Sequence, residues 1–206
     1  MHTSDNAPSL LHIIAAQPAD SGRHSTPGST AVWILIYAEL TEFALFFIVF
    51  LIAKAFNPEI FAAGPSKLNT TAGVVNTLIL LTSSFFIARA VAAMKYGNSK
   101  KCLHWLLLTV GAGALYCGIK LWEHQWNLDA GIATNTNLFF SLYYYLGFNH
   151  FLHVAIGSCA VLWAALNTHL NNYTKDDHEG LESVACYWHM IDLVWVIIFP
   201  LLYVLG

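Results

Sequence analysis

The stretch CYWHMIDLVWVIIFPLLYVLG, residues 186–206, is apolar enough to cross a bilayer, yet it sets His189 and Asp192 one helical turn apart inside the span. Ionisable groups in such a setting are expensive and mark functional sites. The same pattern recurs along the chain. Glu39 and Glu42 lie three apart in AVWILIYAELTEFALFFIVFLIA and so share roughly one helical face. Asn76 and Arg89 fall in a second apolar stretch, Lys120 and Glu123 near the end of a third, and His150 and His153 in a fourth. At a rise of about 1.5 Å per residue, Glu39, His189 and Asp192 are expected roughly 10–14 Å from one membrane surface, with Glu42 and His153 at roughly 16–20 Å. Groups at similar depth on different helices can meet inside a bundle.

Three chemistries suit this set, and the residues alone leave all three open. Glu, His and Asp could satisfy one another across helices and hold them in register, at roughly 0.6–2 kcal/mol per contact. His-x-x-His with His-x-x-Asp and a Glu could offer nitrogen and oxygen ligands to a metal or haem. The third chemistry is proton handling or lipid headgroup anchoring by buried carboxylates. No Ser or Cys stands beside a base in an arrangement that suggests nucleophilic catalysis. Arg89 reads as an anchor reaching for headgroups, Lys120 and Glu123 as a local ion pair, and Tyr143, Tyr144 and Tyr145 as packing or interfacial contacts. Trp33, Trp105, Trp122 and Trp126 fall near span ends, where indoles belong.

The elements that carry these residues follow from composition. Of 206 residues 57% are apolar and 10% charged, and the mean hydropathy is +0.56. Apolar stretches near 31–53, 71–94, 103–122, 138–167 and 184–205 are each long enough to span a hydrocarbon core about 30 Å thick. The fold class is therefore all-α, a bundle of five transmembrane helices, since spanning backbone must satisfy its own hydrogen bonds and no alternating barrel pattern appears. Residues 1–30, rich in Ser, Pro, Gly and His, read as a flexible cytoplasmic tail, and 31–206 as the membrane domain. Their short apolar run Leu10–Ala16 lacks the basic segment that precedes the core of a signal peptide.

The segment NPEIFAAGPSKLN reads as an outer loop, with Pro58, Gly64 and Pro65 placed outside any helix. KYGNSKK reads as a tight inner loop, HQWNLDAGIATNTN as an outer loop, and THLNNYTKDDHEGLES as a polar inner loop. With the N-terminus inside, Arg23, Arg89, Lys95, Lys100, Lys101 and Lys175 stand against Lys54, Lys67 and Lys120 outside, which orients the N-terminus to the cytoplasm and the C-terminus to the opposite side. A net charge of -3 without basic stripes excludes nucleic acid as a partner. Cys102, Cys117, Cys159 and Cys186 have no C-x-x-C spacing and read as small buried apolar residues. Gly111-Ala112-Gly113-Ala114 offers close helix approach, and Pro200 is expected to kink the last span.

These residues together resemble subunit III of the haem-copper oxidases in its short five-helix bacterial form, and most of all the branch of nitric oxide reductase accessory proteins. Trp188, His189, Asp192 and Trp195 match the family's closing W-H-x-x-D-x-x-W pattern. LGFNHFLHVAIGS matches an H-x-x-L-H-V-x-x-G stretch through His150, His153 and Gly157, with Asn149 and Phe151 altered. AELTEFALFF matches the family's glutamate helix at Glu39, NTLILLTSS a stretch at Asn76 and Thr77, and KLWEH a position at Glu123. Glu42 stands where the family has an apolar residue.

The resemblance implies a non-catalytic subunit that carries no haem or copper, packs beside a catalytic subunit I-like protein that does, and encloses phospholipid. It also implies support for sustained turnover, proton uptake and oxygen access in a bacterial inner membrane, the C-terminus being periplasmic. Glu39, Glu42, His150, His153, His189 and Asp192 are then buried polar or proton-responsive groups, and Asn76 and Glu123 helix-to-helix contacts, with no metal ligand. The rival is an intramembrane metalloenzyme built on His150, His153, His189, Asp192 and Glu39. A transporter made of duplicated halves is disfavoured, since no internal repeat is visible.

Overall fold

A computed structural model describes residues 26–205 of the chain. Most of the expected tail, residues 1–25, lies outside the described residues. Five long helices form, α1 (Thr30–Phe56), α3 (Thr70–Lys95), α4 (Ser99–Asp129), α5 (Leu138–His169) and α6 (Glu179–Tyr203), with a short α2 (Pro58–Ala63) after the first. All five are long and apolar enough to cross a membrane.

Local chemistry sets where they begin and end. The side chains of Ser29, Asn69, Asn98 and Asn137 each accept a hydrogen bond from a backbone N–H in the first turn, capping α1, α3, α4 and α5. The other ends of α3, α4 and α5 share one device. Gly97, Gly131 and Asn171 adopt φ of 71°, 74° and 57°, and the next N–H reaches back five residues, from Asn98 to Ala93, Ile132 to Asn127 and Asn172 to Asn167. Each is a Schellman closure, which needs a residue tolerant of the left-handed region.

Several sequence expectations change here. Pro58 is helical after all, at the first position of α2, where its missing N–H has no partner to lose, and Pro65 likewise opens a single 3-10 turn, Pro65–Lys67. The helix carrying Glu123 runs on to Asp129, through half of the segment expected to be an outer loop. Cys159 is exposed on α5 while Cys102 is buried. Pro200 sits inside α6.

α3 packs against α4 and α6, and α5 against α4 and α6, so these four form a closed bundle. α1 lies outside it, against α5 and α6. Its only buried residues are Ile36, Phe43 and Phe50, seven apart, a single narrow seam. Aromatic edges continue this seam: Phe43 meets His153, and Phe50 and Phe61 meet Phe139, with centroids 5.1–6.3 Å apart. Residues 27–29 are docked at one end, where the Gly28 and Ser29 amides donate to Glu182 and Ser183 of α6. Lys95 of α3 closes on the same Glu182 at 2.8 Å. At the far end of α1, Lys54 donates to the Leu205 carbonyl.

Candidate functional site

The polar residues of the spans do not gather in one place. They form separate hydrogen-bonded settings between different helix pairs, and each is a consequence of which helix faces which.

Between α1 and α5, His153 Nε2 stands 2.7 Å from Glu39 Oε2. The other ring nitrogen, Nδ1, is 2.8 Å from the Asn149 carbonyl. A carbonyl only accepts, so Nδ1 carries a hydrogen. The 2.7 Å contact then requires one more hydrogen, on Nε2 or on the carboxyl. Either way the pair shares one hydrogen and carries no net charge, as imidazolium with carboxylate or as neutral imidazole with carboxylic acid. One turn along, Asn149 Nδ2 donates to Glu42 Oε1 at 3.1 Å, and Glu42 is exposed.

Inside the four-helix bundle, His150 is fully buried. Its Nε2 faces the Ile191 carbonyl at 3.2 Å, so that nitrogen carries the hydrogen and Nδ1 accepts from the Tyr116 hydroxyl at 3.0 Å. The ring also packs on Trp195 at 4.9 Å. His153 and His150, three apart in sequence, thus serve different neighbours.

At the end of the bundle near Tyr203 lies the densest network. Lys120 Nζ donates to Glu123 Oε2 and to the Tyr203 hydroxyl, both at 3.0 Å. Tyr203 and Tyr143 donate to Glu123 Oε1 at 2.6 and 3.1 Å. The Lys120 ammonium lies over the rings of Trp195, Tyr143 and Tyr203 at 5.2–5.6 Å. The expected Lys120–Glu123 ion pair is therefore present, and it is buried in a wider network. Tyr143 also departs from its expected packing role, since its hydroxyl binds the carboxylate.

α6 is stitched to α3 by its two motif tryptophans. Trp188 and Trp195 indole N–H groups donate to Ser83 and Thr77 at 3.0 and 2.9 Å. His189 Nδ1 is hydrogen-bonded to Ser84 at 2.7 Å, with the residue itself exposed. Asp192 lies between the two tryptophans, 5% exposed, and neither carboxyl oxygen finds a partner. Asn76 is likewise buried with both amide atoms unpartnered. Among the described residues no group of three or more His, Cys, Asp or Glu converges as metal ligands would. The five residues of the metalloenzyme rival are dispersed over four settings, so this geometry does not favour it.

The sequence pattern that defines cytochrome c oxidase subunit III matches residues 30–206, all five spanning helices. The chain belongs to that family. A cytochrome c oxidase subunit 3 from a Synechocystis species is 30% identical over 189 residues, covering 89% of this chain and 79% of the relative. One from Alkalihalophilus pseudofirmus is 31% identical over 178 residues, 84% of each chain. A quinol oxidase subunit 3 from Bacillus subtilis is 28% identical over 206 residues, covering 100% of this chain and 96% of its own. Within this subunit III, the closing motif explains itself in physical terms. Trp188 and Trp195 clamp α3, and Gly157 leaves room for the clamp: a Cβ there would stand 2.7 Å from the Ile191 side chain and 3.2 Å from the Trp188 ring.

The partners Tyr116, Tyr203 and Ser84 escaped the sequence reading. Tyr and Ser are common in apolar spans, and nothing in their spacing separates a hydrogen-bonding hydroxyl from a packing one.

Proposed function

We propose that this subunit III is the non-catalytic, cofactor-free member of a respiratory haem-copper complex in a bacterial inner membrane. Its N-terminus faces the cytoplasm and its C-terminus the periplasm. It stabilises a catalytic subunit I-like partner, which holds the haem and copper, and supports proton uptake and lipid binding beside it. The acceptor reduced by the whole complex is oxygen or nitric oxide.

The observation that carries this reading is the Glu39–His153 pair. Its single hydrogen is shared between two titratable groups at membrane depth, with His153 held in orientation by the Asn149 carbonyl. A hydrogen shared between a carboxyl and an imidazole is the arrangement that proton handling calls for. Lipid binding is supported by a cleft of about 520 Å³ between α4 and α5, with Lys120, His124 and Ser141 among apolar walls. Its polar groups cluster towards one end, which suits a headgroup with its acyl chains beside it.

The test compares the complex purified with and without this chain. Haem absorbance per catalytic subunit is expected to stay the same while activity decays faster during turnover, and Glu39→Gln is expected to slow proton uptake at unchanged haem content. Full and durable activity without the chain overturns the reading. Oxygen and nitric oxide consumption by the same preparation identify the acceptor.

A further inference from the structure

Glu42 and Asn149, two of the three residues that depart from the family pattern, are each other's hydrogen-bonding partners across α1 and α5, with Asn149 Nδ2 3.1 Å from Glu42 Oε1. Both positions are polar here, and the contact they make lies on the outside of the bundle. Glu42 stands 12 residues after Thr30 and 14 before Phe56, about 18 and 21 Å from the two helix ends. That is the middle of the bilayer. A carboxyl exposed to hydrocarbon at this depth is costly, and polar groups there normally face protein or water.

Of the two α1 carboxylates, Glu39 is the more covered and pairs with the His153 ring. Glu42 is the exposed one. It accepts only from Asn149 among the described residues, and a carboxyl can accept several donors. Around it the surface is apolar and continuous. Leu35, Leu45 and Val49 of α1 are 45%, 57% and 52% exposed, and Tyr145, Leu152 and Ile156 of α5 are 56%, 41% and 60% exposed. They recur at three- and four-residue spacing beside Glu42 and Asn149. A broad apolar face with a single acceptor at its centre is how one transmembrane helix receives another: side-chain packing supplies contact area, and the polar spot fixes register. Lipid chains offer packing but no hydrogen-bond donor.

We propose that this α1–α5 face is the docking surface for a transmembrane helix of a neighbouring subunit, one that carries a hydrogen-bond donor at mid-bilayer depth. The proposal rests on the reading of the chain as part of a membrane complex. It adds the surface, the depth and the chemistry of the contact.

The test uses the assembled complex in its own membranes, with a photo-crosslinking amino acid at Leu45 or, on the opposite α3–α4 edge, at Leu107, which is 51% exposed. Position 45 is expected to give an adduct with another membrane subunit and position 107 none. An adduct from 107 but not from 45, or an adduct from 45 with a second copy of this chain, overturns the assignment while leaving complex membership standing. If no other membrane subunit co-purifies, membership itself fails. In the same membranes Glu42→Leu is expected to reduce retention of the partner by about 3- to 30-fold, the range for one interhelical polar contact. Glu42→Gln keeps an acceptor and is expected to retain the partner. Unchanged retention in Glu42→Leu shows that no donor meets Glu42 and overturns the proposal.

Discussion

Glu123 and Tyr203 are joined by a 2.6 Å hydrogen bond between helices that are diagonal across the four-helix bundle, with Lys120 completing the contact from the other carboxylate oxygen. α4 and α6 also meet where Trp195 packs edge-on to Tyr116 and where the Trp188 ring closes on Gly113. The network adds the polar tie across this diagonal, and its members are sensitive to the loss of any one.

Glu123→Leu leaves Lys120 buried without a counter-ion, and Lys120→Met leaves the carboxylate without its cation. Each single change is expected to destabilise by about 3–5 kcal/mol, whereas the double change is expected to fall well short of their sum. Thermal or chemical unfolding in detergent micelles, arranged as a double-mutant cycle, checks this. Additive losses would mean that the two groups act independently.

Asp192 makes the opposite prediction. Among the described residues its carboxyl oxygens have no well-formed hydrogen bond and at most a weak contact with Ser84, so Asp192→Leu removes a buried polar group at little cost in bonding. Folding stability is expected to stay level or rise, because removing an unsatisfied group relieves its desolvation cost. Any loss of turnover by the complex carrying this variant then reports a functional role for Asp192 and not a damaged fold. Unfolding midpoints measured beside activity separate the two.

For Glu39 and His153 the readout is the imidazole itself. Nitrogen chemical shifts of the labelled ring in the wild type are expected to show Nε2 sharing a hydrogen with Glu39. In Glu39→Leu the ring is expected to keep its hydrogen on Nδ1 and to lose the one shared at Nε2, because the Asn149 carbonyl still requires a donor there. A ring protonated on Nε2 alone in that variant contradicts the arrangement.

Glycines in the small-residue run of α4 and in the α5 motif are not equivalent. Gly111 has open space around the missing Cβ, so Gly111→Ala is expected to be neutral or to stabilise by up to about 1 kcal/mol through helix propensity. Gly157→Val pushes against Ile191 and Trp188 and is expected to cost about 1–3 kcal/mol. Helix content and unfolding midpoints of the two variants decide it.

Much of this was legible in the sequence. Length and hydropathy predict all five spans to within a few residues, except where α4 extends to Asp129. That extension was hidden because Trp126, Asn127 and Asp129 look like interfacial loop residues, and only the closure at Gly131 shows where the helix stops. The local Lys120–Glu123 pair was readable from its spacing of three. Its tyrosine partners were not, since Tyr143 and Tyr203 come from other helices and no periodicity links them. Depth put Glu39, His189 and Asp192 on one level, yet rotation about each helix axis sends them to different neighbours. Depth follows from counting residues; azimuth is decided by packing, which a single helix does not encode.

The seam formed by Ile36, Phe43 and Phe50 bears on how the molecule is put together. Helices α3 to α6 bury their large side chains among themselves, while α1 contributes one row of contacts and keeps most of its surface outside. Of the described helices α1 comes earliest in the chain, yet both of the long helices it packs on, α5 and α6, lie at the opposite end of the sequence. Its seam cannot close before α5 is made and supplies His153.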